Sequence, residues 1–97
     1  MPKGYIIGEV HLTNPGEAFA EYREKVQATL DPFGGRFLAR GGEVSLLEGE
    51  APAGRPVIIE FESPEQAMQW YNSPAYQAIL PLRLRNATTR VTCAAGV

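Results

Sequence analysis

Asn14-Pro15-Gly16-Glu17-Ala18-Phe19-Ala20-Glu21-Tyr22 and Ser63-Pro64-Glu65-Gln66-Ala67-Met68-Gln69-Trp70-Tyr71 carry one pattern twice. Cap, proline, acid or amide, alanine, large apolar residue and tyrosine fall in step. Asn and Ser are good N-caps, proline suits the first helical position, and Glu17 stands where a capping-box acid belongs. Each copy therefore opens a helix. Before the first lies a strand pattern, Tyr5 to Leu12, with Ile6, Val10 and Leu12 on one face and Tyr5, Ile7, Glu9 and His11 on the other. Before the second, Val57 to Glu62 alternates in the same way, with Val57, Ile59 and Phe61 against Ile58, Glu60 and Glu62. Two strand-then-helix halves in one register are what a pseudo-twofold fold produces.

The rest of the chain completes the two halves. The first helix carries Phe19, Tyr22, Val26 and Leu30 at helical spacing and stops before Pro32 and Gly34-Gly35. Arg36 to Arg40 form a short strand. Gly41-Gly42 then reads as a hairpin turn returning through Val44 to Glu48, and Gly49 to Pro56 is a loop. Ser73-Pro74 caps a further helical piece to about Leu84, and Thr88 to Ala95 close as a β-branched strand. The order βαββαβ, with a hairpin extension after the second strand, predicts one α+β domain over residues 1–97. It is a ferredoxin-like split βαβ sandwich, an antiparallel sheet with both helices on one face. The first and third strands are central and are expected as parallel neighbours, with the fourth flanking the first and the second flanking the third.

Ninety-seven residues suffice for one modest core. A net charge of -2 gives no basic footprint for nucleic acid. No apolar run reaches the length of a membrane span and no secretory signal is visible, so a cytoplasmic protein is expected. The single cysteine, Cys93, has no partner for a disulfide or a metal site, and is expected in the core as a small hydrophobe. Tyr22, Trp70, Tyr71 and Tyr76 are also expected as core. No dinucleotide, phosphate-loop or nucleophile-elbow motif occurs, and no cofactor or metal is expected.

Helices on one sheet face leave the other bare, and its row of Tyr5, Ile7 and Ile58 predicts a partner surface. Two copies meeting there would close a barrel with a polar-lined interior, which is the argument for a homodimer. A cavity on that face would use Tyr5, Ile7, Glu9, Leu38 and Ile58 as ligand contacts. The repeat makes His11 equivalent to Glu60, so these two are expected side by side, with Glu60 orienting His11 as a general base. Arg40 would hold a carboxylate or enolate oxygen. A bulge in the second strand would exchange Arg36 and Arg40 between faces. The same charges would equally serve as cross-strand pairs in a dimer interface.

Gly4-Tyr5-Ile6-Ile7, Thr13-Asn14-Pro15 and Phe33-Gly34-Gly35-Arg36-Phe37-Leu38-Ala39-Arg40-Gly41-Gly42 resemble domain-of-unknown-function family 1330. Val57-Ile58-Ile59-Glu60-Phe61-Glu62-Ser63, Ala67 and Trp70-Tyr71-Asn72-Ser73-Pro74-Ala75-Tyr76 extend the resemblance over nearly the whole chain. It implies the dimeric α/β-barrel superfamily, whose small domains associate through their sheets. The family has no assigned activity. Relatives in the superfamily include cofactor-free monooxygenases, lactone isomerases and haem enzymes, and His11 matches no haem-ligand motif. Three functions stand: an enzyme acting on an apolar or aromatic carboxylate or enol, a non-catalytic small-molecule binding module, and a structural dimerisation module.

Overall fold

A computed structural model describes residues 2–97. Its elements are β1 (Gly4–Leu12), α1 (Glu17–Leu30), β2 (Arg36–Arg40), β3 (Arg55–Phe61), α2 (Pro64–Tyr71), α3 (Pro74–Leu84) and β4 (Ala87–Ala95). A short 3-10 turn, Asp31–Phe33, follows α1. The sheet order is β2-β3-β1-β4, the arrangement expected for a split βαβ sandwich. The expected rows are correct. Ile6, Ile59 and Phe61 are buried against the helices, while Ile7 on the other row is exposed.

The directions of the central strands differ from expectation. β1 and β3 are antiparallel, as are β1 with β4 and β2 with β3. The crossover through α1 runs from β1 to β2, which makes those two parallel, and β3 then reverses direction and fills the place between them. Glycine matters where β1 meets α2. A Cβ on Gly4 would stand 2.5 Å from the Ser63 carbonyl oxygen and 2.6 Å from the backbone of Pro64, so only glycine lets the start of α2 lie against β1.

The hairpin extension does not form. Gly41 adopts a left-handed φ of 74°, and its N–H donates to the Pro56 carbonyl at 2.7 Å. That bond seats the end of β2 against the start of β3, so β3 is the hairpin partner of β2. Val44 to Glu48 pair with no strand and belong to an irregular loop over residues 41–54, which leaves β2 as an edge of the sheet. β3 accordingly starts at Arg55 rather than Val57.

Two of the three helix starts follow the sequence. Ser63 and Ser73 each accept a bond at their hydroxyl from the backbone N–H three residues on, Gln66 and Tyr76, with proline at the first turn of both helices. Asn14 does not cap α1, whose N-cap is Gly16. Its side chain instead donates to Asn86 at 2.8 Å, and the backbone N–H groups of Thr13 and Asn14 both bond the Asn86 carbonyl. This ties the chain leaving β1 to the chain entering β4. Cys93 lies opposite Ile6, hence on the helix-side row, yet it is exposed. It sits on an edge strand, where the helical layer does not cover it.

Leu30, Phe61, Ala67, Trp70 and Tyr76 form the deepest part of the core. Trp70 packs against Tyr76 with ring centroids 4.1 Å apart and against Phe61 at 5.6 Å, and its indole N–H donates to Thr29 Oγ1 at 3.0 Å. No helix among the described residues is long and apolar enough to cross a membrane.

Candidate functional site

On the helix side of the sheet lies a cavity of about 770 Å³, within the range of small-molecule sites. Its floor is the inner row of the sheet, including Ile6, Val10, Val57 and Ile59, with Gly8 leaving a gap between side chains. Tyr22 of α1, Trp70 and Tyr71 of α2, and Tyr76 and Arg83 of α3 supply the helical wall. Val44, Leu46 and Ala51 to Gly54 of the irregular loop supply the outer wall. The aromatic residues expected as core are thus both core and lining.

Arg83 is the unusual member. It is only 4% exposed, and no ion pair among the described residues includes it. Its guanidinium donates to Thr89 Oγ1 at 2.6 Å and to Tyr76 Oη at 3.4 Å. Tyr76 Oη in turn lies 2.8 Å from Tyr22 Oη, forming a hydroxyl pair. Burial, followed by the neighbouring Tyr76, pushes the Tyr22 phenol well above the usual range, and the opposing charge of Arg83 does not reverse this. Burial alone would lower Arg83, but the Tyr76 and Tyr22 oxygens outweigh it and hold the guanidinium above its ordinary value. The result at neutral pH is a buried cation beside a neutral phenol, with no carboxylate against it. A buried charge without a counter-charge is costly, and an anion in the cavity would relieve that cost.

The residues anticipated on the open face divide into two groups. Tyr5 and Glu60 face each other, as do Ile7 and Ile58. Tyr5 Oη donates to Glu60 at 3.3 Å, Arg36 pairs with the same carboxylate at 2.8 Å, and Lys3 lies at 3.6 Å. Burial would raise the Glu60 carboxyl, but Arg36, Lys3 and Tyr5 together bring it below its usual value. Glu9 is opposite Pro56 and Arg90 on the same side, and Leu38 is half exposed at the edge. Of the anticipated ligand contacts (Tyr5, Ile7, Glu9, Leu38 and Ile58), none lines the cavity.

His11 and Glu60 are not brought together. The axis relating the two halves passes through the pair Gly8 and Val57, which are both equivalent in the repeat and directly opposite each other in the ladder. Moving forward from that pair carries the antiparallel strands apart, so His11 and Glu60 lie at opposite ends, about 20 Å apart along β1. His11 belongs to the cavity lining at the end of β1, where Gly54 crosses so closely that a Cβ would stand 2.5 Å from the Val10 backbone and 2.8 Å from the His11 backbone nitrogen, while alternation leaves its side chain on the open row with Glu9. Its β4 neighbour is Thr88.

Arg40 also moves. The β2–β3 register shifts between Phe37 and Ala39, and this bulge at Leu38 turns Arg40 into the cavity lining while Arg36 stays outside on Glu60. Arg83 was missed from sequence, yet a signal exists. It lies seven residues after Tyr76 on the buried stripe of α3 that includes Ile79 and Leu80, where an apolar residue is the ordinary occupant.

Fold and site together define a small ferredoxin-like α+β domain with an aromatic, cation-bearing cavity beneath its helices. The chain matches DUF1330, a domain of unknown function, over residues 3–97, and belongs to that family. A comparison with curated proteins returned no match. Among solved structures, a protein of unknown function from Rhodopseudomonas palustris is 16% identical with a TM-score of 0.73, covering 99% of this chain and 83% of that one. SnoaB, a cofactor-independent oxygenase from Streptomyces nogalater, is 9% identical with a TM-score of 0.65, covering 100% and 95%. A dimeric ferredoxin-like protein of unknown function from Bacteroides fragilis is 12% identical with a TM-score of 0.60, covering 96% and 95%. At these identities the likeness is one of fold.

Proposed function

We propose that the chain binds a small aromatic or apolar organic anion, a carboxylate or an enolate, in the cavity between its sheet and its helices. Arg83 holds the anionic oxygen, and the Tyr22–Tyr76 hydroxyl pair lies beside it. The observation that carries this reading is a buried guanidinium without a counter-charge in a cavity otherwise walled by aromatic and aliphatic groups. Trp70 is the sole tryptophan and lines the cavity, so its fluorescence reports occupancy. Titration with 2-naphthoate should give a saturable change, and the neutral 2-naphthamide should bind about tenfold or more weakly, the worth of one charged hydrogen bond. Equal affinities would sink the reading, because the charge would then not be recognised.

A catalytic version adds His11, the only histidine and a member of the same lining. In it the His11 imidazole turns over the end of β1 and takes a proton from an enolisable ligand while Arg83 stabilises the enolate oxygen. Glu60, at the far end of the sheet, has no part. The cofactor-independent oxygenase noted above is a precedent for chemistry on this fold, not for the reaction. Exchange of solvent deuterium into a bound 2-aryl ketone acid, lost in His11→Ala while binding persists, distinguishes this version from binding alone. Exchange that survives the substitution removes His11 as the base.

Two copies pair through the open sheet face in this reading. Its supports are the exposed Ile7 and Leu38 on that face and the dimeric description of similar structures. Sedimentation equilibrium should return twice the chain mass for the native protein and the single mass for Ile7→Glu, which puts a charge opposite Ile58. A native monomer would refute the pairing.

A further inference from the structure

The mouth of the cavity carries cations that binding at Arg83 does not use. Arg40 lies opposite Val57 and Arg55 opposite Val10, so both project to the helix side and are diagonal neighbours across β2 and β3, about 7 Å apart. Arg40 Nη2 donates to the Arg23 carbonyl at 2.8 Å, and its guanidinium lies 4.2 Å from the centre of the Phe37 ring. Arg55 donates to the Gly42 carbonyl at 3.3 Å. Arg23, Arg40 and Arg55 all line the cavity, and none forms an ion pair among the described residues. The segregation is notable because the chain has 11 acidic residues against 9 basic ones, yet no Asp or Glu is in the lining. Like charges held together without a counter-ion repel, and an incoming anion reverses that term.

Arg40 and Arg55 stem from different strands than the one that fixes Arg83. Arg40 is on β2, whereas Thr89, which fixes the Arg83 guanidinium, is on β4. β2 and β4 are opposite edges of the sheet, three strand spacings or about 14 Å apart, and Arg55 on β3 is two spacings or about 10 Å from Thr89, with which it shares the partner Val10. Tyr22 stands between the two positions, a neighbour of Arg40 on one side and of Arg83 on the other.

We propose that the ligand is elongated and carries a second anionic oxygen group, carboxylate or phosphate, at the end remote from Arg83, where Arg40 and Arg55 receive it with Arg23 alongside. This rests on the cavity reading above and extends it to a doubly anionic ligand with an apolar middle. Arginine forks suit the oxygens of either group. Phe37 holds one of the forks in place from below.

Calorimetric titration with biphenyl-4-carboxylate, biphenyl-4,4′-dicarboxylate and the phosphate ester of 4′-hydroxybiphenyl-4-carboxylate tests this. At least one doubly anionic probe should bind about tenfold tighter than the monocarboxylate at low salt, the contribution of two exposed ion pairs. Which of the two gains more identifies the outer group. The gain should shrink as salt is raised and vanish in the Arg40→Gln/Arg55→Gln double variant, which should weaken the doubly anionic probe by a larger factor than it weakens the monocarboxylate. Doubly anionic probes that bind no tighter, or a gain that survives the double variant, overturn this inference and leave the Arg83 reading standing. A monocarboxylate whose affinity is the same in Arg83→Met, or no binding of any probe, overturns both.

Discussion

Replacing Arg83 with methionine should leave the free protein at least as stable as before and remove most of its affinity for an aromatic carboxylate. The two expectations have one cause. Arg83 is nearly solvent-free and holds its charge on two neutral hydroxyl partners. Apolar replacement of buried ionic groups is often neutral or stabilising, because the desolvation cost disappears with the charge. Little is orphaned by the change. Tyr76 Oη keeps its bond to Tyr22, and Thr89 is only partly buried. In the bound state the loss is that of one partner of a desolvated charge pair, about 3 kcal/mol, or roughly 100-fold in affinity. Urea unfolding and ligand titration on the same preparation check both halves. A large fall in the urea midpoint would make Arg83 a structural strut between α3 and β4, and the site would lose its central residue.

Trp70→Ala should act in the opposite way, on stability first. The indole is buried between Phe61 and Tyr76 and spends its only donor on Thr29. Truncating a buried Trp to Ala costs about 4 kcal/mol, and each kcal/mol shifts the midpoint of a domain this size by about 4–8 °C. A fall of roughly 20 °C is therefore expected by calorimetry, close to the whole margin of a small domain. A fall under about 5 °C would mean that the ring is not packed as described. A more conservative Trp70→Phe keeps most of the contact area and should lose much less, although the fluorescence probe goes with it.

The contrast between these two residues shows where sequence was readable. The rows Ile6–Val10–Leu12 and Val57–Ile59–Phe61 follow from alternation, which any half-buried strand displays. Ser63 and Ser73 announce their helices through local chemistry that needs no tertiary partner. What failed were relations between distant segments. The repeat placed His11 and Glu60 in equivalent positions, but equivalence under a twofold between antiparallel strands is separation, not contact. The faces of Arg36 and Arg40 depend on one extra residue in β2, and either reading of Arg36-Phe37-Leu38-Ala39-Arg40 alternates equally well. The apolar residues Val44, Leu46 and Leu47 imitate a strand, but they leave the outer edge of β2 unpaired, and Val44 and Leu46 line the cavity instead. The cavity itself was hidden because Tyr22, Trp70 and Tyr76 satisfy the pattern of a core whether or not a void lies beside them.

The irregular loop over residues 41–54 is the part of the cavity wall least tied to the fold. It walls the cavity with Val44, Leu46 and Ala51 to Gly54, yet it contributes nothing to the buried core and pairs into no strand. Apart from Gly54, whose Cβ would meet the Val10 backbone, substitutions there alter the shape offered to a ligand without touching the packing that keeps the chain folded. Selection can therefore revise what fits while inheriting the scaffold unchanged. Descendants of one ancestral chain would share their sheet and helices and still differ in the molecules they accept.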